Sequence, residues 1–239
     1  MAPTAESLDP LSLGTPVIVA APHPDDETLG CGGLIALLTQ AGLPVHVVTV
    51  SDGAASHPDS KEWPRERMAA LRRAESDAAL DALGVPTDAR HRWEIADGAV
   101  PRRGQDGHEA LVARATALLD ALGAKTLILP WRRDPHSDHK AVSAIFRAAA
   151  GQARLSPAQL EYPIWSATRS LNGMPMRPHE GRVRKIDISA VLERKRAAID
   201  QHQSQLGRVV TDVPHGVVID PDLRARMERN DEIYWQVRD

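Results

Sequence analysis

The sequence predicts an α/β protein: a single domain on a mostly parallel, Rossmann-like sheet with helices on both faces. Three observations carry that expectation. Short apolar, β-branched runs at residues 16–20, 45–50 and 126–129 read as strands buried on both faces. Stretches of helical periodicity lie between them. Strands that alternate with helices pair in parallel through right-handed crossovers.

Residues 16–20, Pro-Val-Ile-Val-Ala, form the first strand. An acidic loop follows, then a helix over 29–40 that ends at Ala41-Gly42. Residues 45–50 are the second strand, stopped by Ser51-Asp52-Gly53, and 54–64 is a loop rich in Ser, His and Pro. A long amphipathic helix covers 65–83, with Met68, Leu71 and Leu80 on its apolar side and Gly84 as its stop. A third strand at 91–95, a helix at 109–122 ending at Gly123, a fourth strand at 126–129, a helix at 138–150 and a fifth strand at 160–165 continue the alternation. The remainder is less regular. Residues 171–180 read as a long loop, 182–188 as a half-buried strand, 190–206 as a charged helix and 217–220 as a last short strand. There is no internal repeat. Residues 1–14 are set apart as a flexible N-terminal segment and 15–239 as one domain.

Composition excludes several classes. The 239 residues are 42% hydrophobic, enough for a core without disulfides or a structural metal. Only 3% are aromatic, too few for the stacking platforms of a single-strand binder, and a net charge of -3 without a basic block argues against nucleic acid. One cysteine, Cys31, forbids an intrachain disulfide and suits a reducing cytoplasm. The polar N-terminus lacks a signal-peptide pattern, and no apolar stretch is long enough for a bilayer.

Two clusters carry the chemistry. His23-Pro24-Asp25-Asp26-Glu27 follows the first strand, and His136-Ser137-Asp138-His139 follows the fourth, where open α/β sheets place ligands. In a tight turn His23 and Asp26, three apart, can face one cation, with His139 as the third ligand. Two nitrogens, a carboxylate and an open position make a catalytic rather than a structural zinc arrangement. Iron(II) or another divalent metal can share such ligands. Asp25 is then placed as general base, His136 as oxyanion stabiliser, and Asp138 as the group that holds His136 charged. The same acids argue against reading Gly30-Cys31-Gly32-Gly33 as a dinucleotide loop, because they would repel a pyrophosphate.

Pro22-His23-Pro24-Asp25-Asp26-Glu27, continuing through Gly30, Gly32 and Gly33, together with His136-Ser137-Asp138-His139, resembles the LmbE-like, or PIG-L, zinc-dependent N-deacetylases. The family usually has Pro where Ser137 stands. The resemblance implies zinc on His23, Asp26 and His139, Asp25 as base and His136 as the oxyanion-stabilising acid. It also implies contacts from Arg72 and Asp97 to a sugar, and it extends to a late motif with His202 and Gln205.

The resulting expectation is a metal-dependent hydrolase that removes an N-acyl group, N-acetyl foremost, from an amino sugar or sugar-containing small molecule. An amidase of a larger N-acyl conjugate, such as a thiol–sugar adduct or glycopeptide, uses the same site. A non-catalytic carbohydrate-binding protein on this fold is the alternative of another class. A homo-oligomer is compatible with the sequence, which does not encode the assembly.

Overall fold

Strands β1 (Glu6–Ser7), β2 (Val17–Ala21), β3 (Val45–Ser51), β4 (Arg90–Ile95), β5 (Thr126–Pro130), β6 (Ala158–Tyr162), β7 (Gly181–Asp187) and β8 (Asp231–Val237) form one sheet. Their order is β1-β7-β8-β6-β5-β2-β3-β4. This computed structural model describes residues 5–165, 181–213 and 216–237. Only β8 runs antiparallel to its neighbours β6 and β7; the other pairs are parallel. The mostly parallel sheet expected from the alternation is therefore present.

All of β2 is buried, and alternate residues turn to opposite faces. Val17 and Val19 join the core beneath helices α1 (Asp26–Gln40), α2 (Arg65–Ala82) and α5 (Leu192–Ile199). Ile18 and Ala20 join the core beneath α3 (His108–Leu122) and α4 (Ser137–Gln152). Two faces buried at once explain why the strands read as unbroken apolar runs. The chain passes from β2 to β3 on one side, while β5 lies on the other. Such a reversal opens a crevice beyond the carboxyl ends of the two central strands.

The structure corrects several boundaries. Helix α1 starts at Asp26, not at residue 29, so the acids occupy its first turn, where the helix dipole favours them. Gly30 is needed there because a Cβ would lie 2.2 Å from the Tyr162 ring of β6. Helix α5 ends at Ile199 rather than running to residue 206: Gln201 and His202 N–H donate three residues back to Ala198 O and Ile199 O, and Ser204 N–H donates to the Glu75 carboxylate. Residues 217–220 are not a strand. Val217 N–H donates to Ser56 O and Ile219 N–H to Gln205 O, single bonds that lash the segment across the crevice. Helix α6 (Pro221–Met227) and strands β1 and β8 are additional elements. Glu6–Ser7 pairs with β7, within the segment set apart as flexible. The expected loop at 171–180 lies outside the described residues. Among the described residues no helix is long and apolar enough to cross a membrane.

Candidate active site

The turn between β2 and α1 is closed by its own side chains. His23 N–H donates to Asp26 Oδ2 at 2.9 Å, and the His23 carbonyl accepts from the Asp25 and Asp26 amides. Asp25 is the N-cap of α1, yet its side chain makes no capping bond. Its Oδ1 instead pairs with Arg72 Nη2 at 3.0 Å. Arg72 also donates to Gly53 O at 2.8 Å and Pro24 O at 3.2 Å. The guanidinium thus braces the loops after β2 and β3. Gly53 has φ +66°, and a Cβ there would lie 2.6 Å from Arg72 Nη1.

The second cluster is built on Asp134, which the sequence reading did not single out. Its Oδ1 accepts from His136 N–H at 3.0 Å, and its Oδ2 from Trp165 N–H at 3.1 Å. The signal was available: an aspartate two residues before His136 is the pattern of an Asx turn. His136 caps α4, with Nδ1 accepting from Asp138 N–H at 3.2 Å. That bond leaves the proton of a neutral ring on Nε2. His139 is fully buried, with Nε2 3.2 Å from Asp26 Oδ2 and Nδ1 3.5 Å from Asp134 Oδ1.

These loops bring the eight expected residues to one place. Asp26 Oδ2 lies 3.1 Å from His23 Nδ1 and 3.2 Å from His139 Nε2. Donors on a tetrahedral zinc ion at about 2.0 Å stand about 3.3 Å apart, so both spacings suit a shared ion. Neither buried nitrogen of His139 makes a well-directed hydrogen bond, which a metal on Nε2 would explain. The donor set of two imidazoles and a carboxylate therefore fits a divalent transition metal. That set rests on its two spacings to Asp26; the groups whose donor atoms all lie within 4.8 Å of one another among the described residues are His23, His136 and His139, and His23, Asp97 and Asp138.

Asp97 lines the cleft, whereas the Asp138 carboxylate does not reach His136 as the sequence reading had it. Asp97 Oδ1 faces His23 Nε2 at 3.2 Å, and its Oδ2 accepts from Ala55 N–H at 2.9 Å. Asp138 meets His136 through its backbone N–H, while its carboxylate accepts from Gly98 N–H at 2.9 Å and lies 3.6 Å from His23 Nε2. Both carboxylates thus flank the second nitrogen of His23. Arg72 pairs with Asp25, not with Glu75 three residues on. It is 3% exposed and lines the cleft beside Asp25. Glu75 instead accepts from Ser204 N–H and Oγ–H at 2.7 and 2.6 Å. Of the late motif, His202 Nε2 contacts Thr28 Oγ1 at 3.1 Å, and Gln205 lines the cleft, donating to Ser56 Oγ at 3.3 Å.

The electrostatics suit a cation. Burial acts to lower the His23 pKa, but hydrogen bonds to Asp138, Asp26 and Asp97 reverse this and raise it well above the ordinary value. Burial likewise opposes a charged His139, and Asp26 and Asp134 nevertheless push it up to about 9. Burial raises Asp25 against the pull of Arg72. Burial, then the neighbouring charges of His23 and His139, hold His136 below the usual range. Cys31 is buried and free, its thiol driven up by desolvation, the reverse of a nucleophile's requirement.

The cleft over these groups encloses about 160 Å³. Comparison with known proteins agrees with the fold and motifs. The family described as PIG-L, GlcNAc-PI de-N-acetylase, matches residues 18–150. A 1D-myo-inositol 2-acetamido-2-deoxy-alpha-D-glucopyranoside deacetylase from Rhodococcus jostii is 26% identical over 247 residues, covering 81% of each chain. A solved deacetylase of the teicoplanin biosynthetic pathway superposes with TM-score 0.70 at 21% identity, over 94% of this chain and 98% of the other. A 4-carboxy-2-hydroxymuconate hydratase from Pseudomonas putida shares the fold with TM-score 0.63 at 20% identity, over 80% of each chain. The fold alone therefore does not choose the reaction; the side chains at the site must.

Proposed function

The chain belongs to the PIG-L family, and from that premise we propose that it hydrolyses the N-acetyl amide of an amino-sugar-containing small molecule with the aid of one divalent metal. The observation that carries this reading is the convergence of His23 Nδ1 and His139 Nε2 on Asp26 Oδ2. Those three residues would hold the ion, zinc foremost and iron(II) as the alternative. Such an ion supplies a Lewis acid that acidifies water and polarises the amide carbonyl.

The remaining steps fall to the protein's own groups. Asp25, raised by burial and fixed by Arg72, takes a proton from the attacking water. A bond forms between the water oxygen and the carbonyl carbon. His136, with its Nε2–H free of the Asp138 contact, donates to the developing oxyanion from across the cleft. The neutral ring suffices for this, so the imidazolium anticipated from sequence is not required. Asp25 returns its proton to the amine nitrogen as the C–N bond breaks, giving acetate and a free amine. Asp97 and Asp138, beside His23 Nε2, orient the ligand imidazole in the manner of outer-shell carboxylates. The lone buried Cys31 supports a cytoplasmic location.

The test is acetate release from N-acetylglucosaminyl compounds by purified protein. Turnover that stops with a chelator and returns with zinc or iron(II) is expected. No acetate from any member of such a panel, with metal supplied, would refute the reading.

A further inference from the structure

We propose that His46 and His91 form a second metal site, at the opposite end of the sheet from the catalytic cleft. It takes one divalent transition ion of the kind that imidazole binds, copper(II), nickel(II) or zinc, through His46 Nδ1 and His91 Nε2.

The register of two adjacent strands brings these residues together. Strands β3 and β4 pair in parallel with Val48 opposite His91. His46 lies two residues before Val48 and so projects from the same face. That face is otherwise apolar: Val48, Val50 and Trp93 join the core beneath α3 and α4. The imidazoles stand at its open end, both half-buried. His46 lines a hollow of about 340 Å³ there with Pro44, Asp88 and Ala89. The active-site loops leave the other end of the sheet, where Ser51 closes β3 and its N–H donates to Pro22 O.

His46 Nδ1 and His91 Nε2 are 3.3 Å apart. The ring centroids are 5.4 Å apart, so it is these two nitrogens that approach. Nitrogens on one ion at about 2.0 Å stand about 2.8 Å apart in a square arrangement and about 3.3 Å apart in a tetrahedral one. Without an ion, the same two atoms share one N–H···N bond. An ion takes the place of that bond with no net loss of a proton, because each neutral ring keeps its proton on the outer nitrogen, His46 Nε2 and His91 Nδ1.

The surroundings favour a cation. Burial disfavours the protonated form of both imidazoles, His46 adds to this at His91, and Asp88 pulls His46 the other way. A ligand imidazole must be neutral and gains from an acid nearby. The arginines on either side of His91 turn to the opposite face and are occupied there. Arg90 pairs with Asp77 and Asp81 of α2, and Arg92 with Asp77. The site also has a structural use. Strand β4 is the last in the sheet order. Its pairing with β3 shifts register between Thr49 and Ser51, near Glu94 at φ +59°. An ion held by one imidazole from each strand clips the regular end of that edge.

The test uses zinc-loaded, tag-free protein given one equivalent of copper(II) and read by electron paramagnetic resonance. We expect bound copper with hyperfine splitting from two imidazole nitrogens, lost in His46→Gln and in His91→Gln. Crystals soaked with copper should show an anomalous peak about 2.0–2.2 Å from His46 Nδ1 and His91 Nε2. Acetate release should be the same in parent and variants. No bound copper in the parent overturns the proposal and leaves the pair as a hydrogen bond alone. An unchanged two-nitrogen spectrum in both variants also overturns it, because the copper then sits on other histidines. Should a variant fail to fold, the parent's spectrum and the position of the copper peak decide.

Discussion

Arg72 Nη2 lies 3.0 Å from Asp25 Oδ1 while the same guanidinium donates to the carbonyls of Gly53 and Pro24. One buried side chain therefore fixes the direction of the proposed base and ties two loops together. Arg72→Met leaves the Asp25 carboxylate buried without its partner. Removing one member of a buried pair costs about 3–5 kcal/mol. Urea unfolding of metal-free protein should show a loss of that order, with kcat falling alongside. Unchanged stability would mean that the pair is not coupled to the fold.

Asp25→Asn should bind metal as the parent does and lose about 10²–10⁴-fold in kcat, the usual share of general-base catalysis. Acetate release and metal content measured on the same preparation check this. Parental turnover in the variant would reject Asp25 as the base.

Asp134 holds His136 and Trp165 through their backbone amides and faces His139 Nδ1. Asp134→Ala should weaken metal affinity by about 10–100-fold, as loss of an outer-shell orienting group does. Competition with a metal-sensitive dye gives the affinity. Equal affinity would show that His139 is held by its packing alone.

His202 is fully buried against Thr28, and burial, aided by the nearby Arg72 charge, holds its pKa down at about 3. The unfolded chain would titrate near 6.5. Between those values the unfolded state binds the extra proton, so stability is full above about pH 6.5 and falls as pH drops toward 3. The total is on the order of a few kcal/mol. His202→Gln should lessen the loss of stability between pH 7 and pH 4.5 in urea unfolding. Identical losses in both proteins would place the acid sensitivity elsewhere.

Gly30→Ala sets a Cβ 2.2 Å from the Tyr162 ring, whose hydroxyl is anchored on Ala20 O. Overpacking of this kind costs about 1–3 kcal/mol. Thermal unfolding should register the loss; an unchanged midpoint would show that Tyr162 can move aside.

The central strands and both clusters were legible because they depend on local pattern. Pro-bounded apolar runs mark β2 and β5, and the residues that follow a parallel strand's end are placed at the crevice. The misses have long-range causes. Strand β8 was hidden by Glu232, an acid that faces inward to accept from Gly33 N–H, Leu34 N–H and Lys195 Nζ. Residues 217–220 have strand composition, but among the described residues Val217 and Ile219 N–H donate singly to Ser56 O and Gln205 O rather than to a neighbouring strand. The direction of the Asp97 and Asp138 carboxylates depends on Ala55 and Gly98, far away in sequence. Arg72 is an arginine on an amphipathic helix, and its burial depends on the loops after β2 and β3, whose Pro24 and Gly53 carbonyls accept from it.

The most direct measurement is the position of the metal in crystals grown with zinc, read from an anomalous difference map. The account predicts one peak about 2.0–2.2 Å from His23 Nδ1, Asp26 Oδ2 and His139 Nε2. A sole peak on the other side of the His23 ring, among Asp97, Asp138 and Nε2, would contradict it.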